Sequence, residues 1–561
     1  MKKRIFLVLF SIFTAFSGFS QVGVSPEDDF YTDVVSWQLQ GIVYYVPQIR
    51  PYSLNAIKSI LLRVFENGNA DSIKKAQYYY EKFFGKKWKI HSEISATEVL
   101  QSIQDLETVN NEKYSAHLYT SGDFDFGKLF SLSYNVGVNG FNVNDNKNLL
   151  NPYATYDSSK VINNGFSVKN DDLALTFDVN AVGTIGIERN YFSFGINKFS
   201  YGPFSDSSIS LNSQSASFLN LSYQFTGKYV SYSQILGAIS AKSSTEQNQF
   251  KMDKFFAFHA LKIPFFSKEV HLSLYETSVF GKSFMPQYIL PSPFFVMSAV
   301  GGFNENTLFG LLFEWNIVKS LKFNFNFNLD DCDIKQVLKL KLDSGIRSAL
   351  QIGFEYAPED SLCNLITLDY SLVTPYTYTY YEKQDEYNYR DVSNLGIPMA
   401  ANIKPNSDRI SLKINFKPKN NFKIATKTTF IRHANSFESL TDDEVLSLKG
   451  KSFLSDGSLY ASDLGLDTTV NYTNFLKQSS IMYSIQGSVD FDYTFNLSKN
   501  QNLTIFSGYF FEFIKNDGVD SNIYKGTEST TEEVQKSLSD WKSNFKDRYN
   551  HYFSIGVKYS Y

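Results

Sequence analysis

What this 561-residue chain has little of narrows its chemistry first. Its only cysteines, Cys332 and Cys363, are too few for a disulfide-framed fold and lack metal-ligand spacing. The six histidines (His91, His117, His259, His271, His433 and His551) include no HxxxH or HExxH pair. No GxSxG elbow occurs. Gly281-Lys-Ser283 and Gly450-Lys-Ser452 lack the upstream glycine of a phosphate loop, since Glu276 and Val445 stand there. His259 and His271 fall on neighbouring strands, but nothing in the sequence brings an acid or a serine to them. The chain is therefore expected to be non-enzymatic, with no catalytic residue, cofactor or metal assigned. Past residue 21 there is no long apolar run, which excludes a bundle of membrane-spanning helices. A net charge of −4, falling to about −7 without Lys2, Lys3 and Arg4, argues against nucleic acid as a partner.

The N-terminus reads as a secretory signal. Met1-Lys-Lys-Arg4 is followed by the apolar run from Ile5 to Phe16, and Gly18-Phe19-Ser20 offers small residues for cleavage before Gln21. The run is too short to cross a bilayer as a helix, which takes ~20 residues. No cysteine stands at the cleavage point to carry a lipid anchor.

What the chain does have is aromatic residues, 37 Tyr and 52 Phe, set in period-2 rows. The last nine residues, Phe553-Ser-Ile-Gly-Val-Lys-Tyr-Ser-Tyr561, place Phe, Ile, Val, Tyr and Tyr on one face and small or polar residues on the other. Such a strand suits a barrel wall with lipid on one side and a wet lumen on the other. The terminal aromatic also resembles the signal by which the barrel-assembly machinery recognises its clients. The same alternation runs from Tyr483 to Leu497, from Leu321 to Leu329, and through Leu503, Ile505, Tyr509, Phe511 and Phe513. A mean hydropathy of −0.24 is ordinary for strands that show lipid only every second residue.

Residues 21–110 differ. Leu54, Ile57, Leu61 and Val64 keep helical spacing behind Ser53 as N-cap, and Ile73, Ala76, Tyr80 and Phe83 repeat it up to Gly85. A further helix is expected around Asp33 to Leu39. The division is a signal peptide over 1–20, a periplasmic helical domain over 21–110 and an outer-membrane β-barrel over 111–561. At about 10 residues per strand plus loops, the barrel region holds roughly 16–20 antiparallel strands. Residues 515–547 read as one long polar loop. Cys332 and Cys363 flank neighbouring strands near Asp343-Ser344-Gly345, so a disulfide and two thiols are both open, with thiols preferred. Asp330, Asp331 and Asp333 read as a solvated turn rather than a cation site.

Several segments, in shared order over residues 30–430, resemble the Wzi family of capsule-assembly proteins. Tyr201-Gly202-Pro203 matches its aromatic-Gly-Pro turn. His259, Glu276 and Phe280-Gly281 match its strand with a His and the following strand with a Glu. Tyr288-Ile-Leu-Pro291 stands for an aromatic-Leu-Asn-Pro turn, here without the Asn. Asp369-Tyr370 with Thr374-Pro-Tyr-Thr-Tyr378, then Leu395-Gly396 and Pro405-Asn-Ser-Asp408, complete the series. The resemblance implies about 18 strands, a periplasmic helical bundle, and a role in holding surface (capsular) polysaccharide without catalysis.

Tyr376, Tyr378, Tyr380, Tyr387 and Tyr389, with Asp385, Asn388 and Arg390, supply aromatic faces and hydrogen-bonding groups suited to a glycan. Tyrosine at strand ends is equally an interfacial girdle. The expected partners are surface polysaccharide, outer-membrane lipid and the assembly machinery, with the protein a monomer. The rival reading is a porin or selective channel lined by Asn324, Asn326, Asp490 and Asp492.

Overall fold

The computed structural model describes residues 25–85, 87–127, 129–142, 167–169, 173–240, 254–265, 267–281, 285–294, 296–297, 305–331, 346–359, 362–378, 392–394, 397–434, 475–478, 480–498, 501–519 and 530–561. The proposed signal peptide lies outside them, as do Cys332 and Asp333.

Three helices come first: α1 (Asp29–Leu39), α2 (Leu54–Asn67) and α3 (Ala70–Phe84). Each starts where a side chain can accept from an otherwise unpaired backbone N–H. Asp28 caps α1, Ser53 accepts from the Ala56 N–H, and Asn69 accepts from the Ser72 N–H. Ile57, Leu61 and Val64 of α2 meet Ala76, Tyr79 and Phe83 of α3 around Phe30 and Trp37. The α2 stripe is buried as the sequence suggests, whereas on α3 the buried face turns to Tyr79 and leaves Ile73 and Tyr80 half-buried.

Eighteen long strands among the described residues then close into an antiparallel barrel. They are β1 (Trp88–Ile103), β2 (Val109–Asp125), β3 (Phe130–Asn142), β4 (Leu173–Ile187), β5 (Asn190–Asn197), β6 (Phe218–Thr226), β7 (Ser231–Ile239), β8 (Lys254–Phe265) and β9 (Ser267–Gly281). The wall continues with β10 (Asn306–Val318), β11 (Leu321–Asp331), β12 (Arg347–Tyr356), β13 (Cys363–Val373), β14 (Ser407–Lys419), β15 (Phe422–Ala434), β16 (Ile481–Ser498), β17 (Gln501–Asp517) and β18 (Lys546–Ser560). A short strand, Ser167–Lys169, pairs along β4.

The seam is the C-terminal strand. β18 pairs with β1 from His91↔Ser560 to Ile103↔Arg548, and Ile90 and Tyr561 exchange backbone bonds beyond it. Phe553, Ile555, Val557 and Tyr561 face outward and exposed. Closure leaves no unpaired edge for lipid to meet.

The barrel begins earlier than the sequence reading placed it: β1 lies wholly before residue 111. Its outward row runs Trp88, Ile90, Ser92, Ile94, Ala96, Glu98, and the serine and glutamate break the apolar signal there. The polar stretch 515–547 also needs correction. β17 reaches Asp517, and a fourth helix, α4 (Thr531–Ser543), precedes β18. Thr530 and Glu533 form a reciprocal capping box. Val534, Leu538, Trp541 and Phe545 turn inward onto the barrel core.

Short connections such as 319–320 and 420–421 gather at one end and long ones such as 198–217 and 374–406 at the other. By the polarity of bacterial barrels the short-turn end faces the periplasm. The helices dock there. Asp33 of α1 is buried against Lys417 of β14, 2.6 Å away, and accepts from the Tyr79 hydroxyl at 2.5 Å. Burial alone would raise the Asp33 carboxyl, but Lys417 and Lys75 hold it below its usual range.

Candidate functional site

The lumen is not an open channel along β5–β14. The segment 198–217, between β5 and β6, folds back inside the wall. Its Phe199, Tyr201, Ile209 and Leu211 are buried against Phe256 and Phe258 of β8 and Tyr275 of β9. Tyr201 packs 5.0 Å from Phe258 and 5.3 Å from Tyr275, ring centre to ring centre. Gly202 then turns with φ of +91°, and a Cβ there would lie 3.1 Å from the Ser208 Oγ. The Tyr201-Gly202-Pro203 motif is thus the bend that seats the plug.

The polar alternates of β11 are consumed by it. Asn326 donates to Ser210 Oγ at 2.9 Å and accepts from the Tyr275 hydroxyl at 2.8 Å, while Asn328 donates to the Ile209 carbonyl. Asn324 is buried and donates to Glu355 at 3.0 Å. A porin would need Asn324 and Asn326 in water; here they hold a plug and a neighbouring strand. Asp490, by contrast, lies on the inward row of β16 and is exposed.

A second inserted segment lies between β13 and β14. Met399, Ala400, Ala401 and Ile403 join the same core; the Asn212 backbone N–H donates to the Met399 carbonyl at 2.8 Å and its side-chain amide donates to the Ala400 carbonyl. Asp206 pins the first segment to β15 through Lys427 at 2.9 Å, with Lys413 at 3.6 Å. Burial opposes its ionisation, yet those two cations hold the Asp206 carboxyl far below the usual carboxylate range. Arg409 ties both segments to the wall, donating to Asn402 at 2.5 Å and to the Ser207 carbonyl at 3.2 Å. The sequence hint for this plug is its run of serines between Ser205 and Ser217. Small polar side chains can be buried against backbone where charged ones cannot.

The tyrosine-rich stretch divides. Tyr376 and Tyr378 are 2% and 8% exposed, both with positive φ, so neither presents a free face for a glycan, and Tyr378 joins the plug core. The Tyr378 hydroxyl donates to the Ile209 carbonyl at 2.7 Å, and its backbone N–H donates to Asp330 at 2.5 Å. That contact gives Asp330 a structural task. Tyr380, Asp385, Tyr387, Asn388, Tyr389 and Arg390 lie outside the described residues.

The remaining motifs meet on the outer wall. His259 and Glu276 are register partners on β8 and β9, with Nε2 and Oε2 3.0 Å apart on the face away from the lumen. The described part of the segment after β9 folds over them. The Phe294 N–H donates to Glu276 at 2.6 Å, its ring lies 4.1 Å from the His259 ring, and Tyr288 stacks on Phe280 at 4.9 Å. Gln234 of β7 fastens this strap by donating to the Tyr288 carbonyl at 2.8 Å. No protein-family model matches the chain, and no curated protein sequence does.

Among solved structures, the chain is similar to Wzi of Escherichia coli, an outer-membrane protein involved in group 1 capsule assembly and a carbohydrate-binding β-barrel. Identity is 9% and the TM-score 0.52, over 96% of this chain and 99% of that one. The chain has the fold of Wzi. The alignment also extends to OccAB4 of Acinetobacter baumannii (8% identity, TM-score 0.37, 85% of this chain and 99% of that one). OpdK of Pseudomonas aeruginosa with vanillate aligns similarly (8% identity, TM-score 0.39, 84% and 99%).

Proposed function

We propose that this chain is a non-enzymatic outer-membrane barrel that attaches or organises surface polysaccharide at the long-loop end. The observation that carries the reading is the lumen filled along β5–β14, where the inward-facing asparagines of β11 are committed to the plug and to Glu355. A barrel closed in this way offers its surface rather than its bore. The Wzi likeness supports the reading, since that protein is itself a carbohydrate-binding barrel with a role in capsule assembly. The residues from Tyr380 to Arg390 remain the proposed glycan contacts, carried now by six side chains rather than eight. Delivery by a signal peptide cleaved before Gln21, insertion by the barrel-assembly machinery, and a monomeric state belong to the same proposal.

The test is surface polysaccharide in a deletion strain, separated into cell-bound and shed fractions. Unchanged total with a shift into the medium is the expected result. An unchanged partition overturns the attachment role. The channel alternative draws on exposed Asp490 in the lumen; steady, solute-blocked openings of the purified protein in a bilayer would favour it.

A further inference from the structure

At the short-turn end the helical domain leaves a vestibule beneath the plug. The loop after α1, the Tyr201-Gly202-Pro203 bend and the inner wall of β8–β12 enclose about 1090 Å³. That is at the upper end of ordinary ligand pockets. Its wall is a ladder of alternating charge on four strands. Lys262 of β8 contacts Glu314 of β10, and Lys322 of β11 lies 3.5 Å from Glu314 and 2.6 Å from Glu355 of β12. Two cations set against two anions leave the ladder neutral, rich in donors and acceptors, and unsuited to an apolar occupant.

Opposite the ladder stands a further cation, and Glu269 of β9 lines the cavity as well. Arg50 lines the vestibule with its guanidinium 5.2 Å from the centre of the Tyr31 ring, and no carboxylate among the described residues pairs with it. It is held there because Ile49–Arg50 pairs as a short ribbon with Ser200–Tyr201 of the plug, so the group is fixed from both sides. Around the opening, Tyr44 and Tyr229 are 57% and 72% exposed, and Lys228 lies over the Tyr229 ring at 5.2 Å. Tyr45, also exposed, adopts a φ of +56° in the loop that presents Tyr44.

A guanidinium without a carboxylate partner, a polar ladder and exposed tyrosines together fit a ring-bearing, polyhydroxylated ligand with a carboxylate. A guanidinium matches a carboxylate as a two-pronged fork. We propose that the vestibule binds a short acidic saccharide, with Arg50 on a uronate carboxylate and Tyr44 and Tyr229 against the sugar faces. The site lies at the opposite end of the closed barrel from the proposed attachment surface and stands or falls separately from it.

The test is calorimetric titration of the full-length protein in detergent with trigalacturonate, and with maltotriose as the neutral control. Saturable binding of trigalacturonate is expected, with maltotriose weaker. Arg50→Gln should weaken the acidic probe about tenfold, as expected for a lost charge-assisted pair, and leave maltotriose unchanged. Lys228→Glu, on an exposed turn where folding is not at stake, should weaken the acidic probe several-fold. No saturable binding of trigalacturonate, or equal binding by wild type and Lys228→Glu, overturns the site. Neither result bears on the partition of polysaccharide in the deletion strain, which judges the attachment role alone.

Discussion

Asp33→Asn tests how the helical domain is held to the barrel. The native carboxylate is 1% exposed and the Lys417 ammonium beside it 4%. Lys75 lies 3.7 Å from the other carboxylate oxygen, and Lys417 sits 4.7 Å over the Tyr79 ring. Neutralising Asp33 leaves Lys417 buried without its counter-charge. Removing one partner of a buried pair costs about 3–5 kcal/mol, and 3 kcal/mol is a factor of roughly 150 in an opening equilibrium. Amide exchange in α1 and α3 should therefore accelerate about 100-fold or more while the strands of the barrel keep their protection. Adding Lys417→Met should recover part of the loss, because it removes the buried ammonium left without a counter-charge. The pH dependence has a definite sign. The folded carboxyl is depressed, so its contribution is complete above the unfolded value near 3.9 and is lost as pH falls through the folded value. Docking should hold from pH 7 to pH 5 and fail only in stronger acid. Exchange in α1 that is unchanged by Asp33→Asn, or a double variant worse than the single one, would refute this account of the docking.

Deleting residues 204–214 should convert a protein without steady conductance into one with it, measured in planar bilayers; a silent deletion variant would mean that other elements close the bore. Trp541→Ala removes an almost fully buried ring that packs 4.8 Å from Phe545 and donates to the Gly518 carbonyl at 3.2 Å. It should cost about 3–5 kcal/mol locally, read as proteolytic cleavage within α4, with heat-modifiable migration of the barrel on a denaturing gel retained. Phe294→Ala should free the outer strap by a similar mechanism, seen as faster labelling of a cysteine placed at Ile289, while the barrel again stays closed.

Legibility in the sequence followed how regular each element had to be. The barrel and the two long N-terminal helices could be read because lipid and core each demand an unbroken period, as in the rows ending at Leu497 and Tyr561 or the Ile57-Leu61-Val64 stripe. β1 could not, since Ser92 and Glu98 interrupt its outward face. In α4 the spacing of Val534, Leu538, Trp541 and Phe545 was present but hidden by the polar residues that cap and surround it. The plug was illegible for a deeper reason. Whether a long connection turns into the lumen or out into solvent depends on partners far away in the chain, such as Asn326 for Ser210 or Lys427 for Asp206. Nothing local at Tyr376 and Tyr378 distinguishes a ring meant for a sugar from a ring meant for a core.

The motifs behind the Wzi resemblance gain a physical meaning from where they fall. Tyr201-Gly202-Pro203 seats the plug, and Asp369 with Arg409, 3.7 Å apart, helps to moor it. His259, Glu276, Phe280 and Tyr288 fasten the outer strap. Several of these residues sit within strands but hold segments that leave the regular ladder, so they need particular side chains rather than merely apolar or polar ones. A lipid-facing position on β18 accepts any apolar side chain of reasonable size. A buried carboxylate under a strap accepts only a partner that satisfies it. That contrast explains how a fold can align over nearly the whole chain at 9% identity. It also implies that those motifs report the plugged architecture, and under the attachment proposal the glycan contacts are to be sought elsewhere, in the stretch from Tyr380 to Arg390.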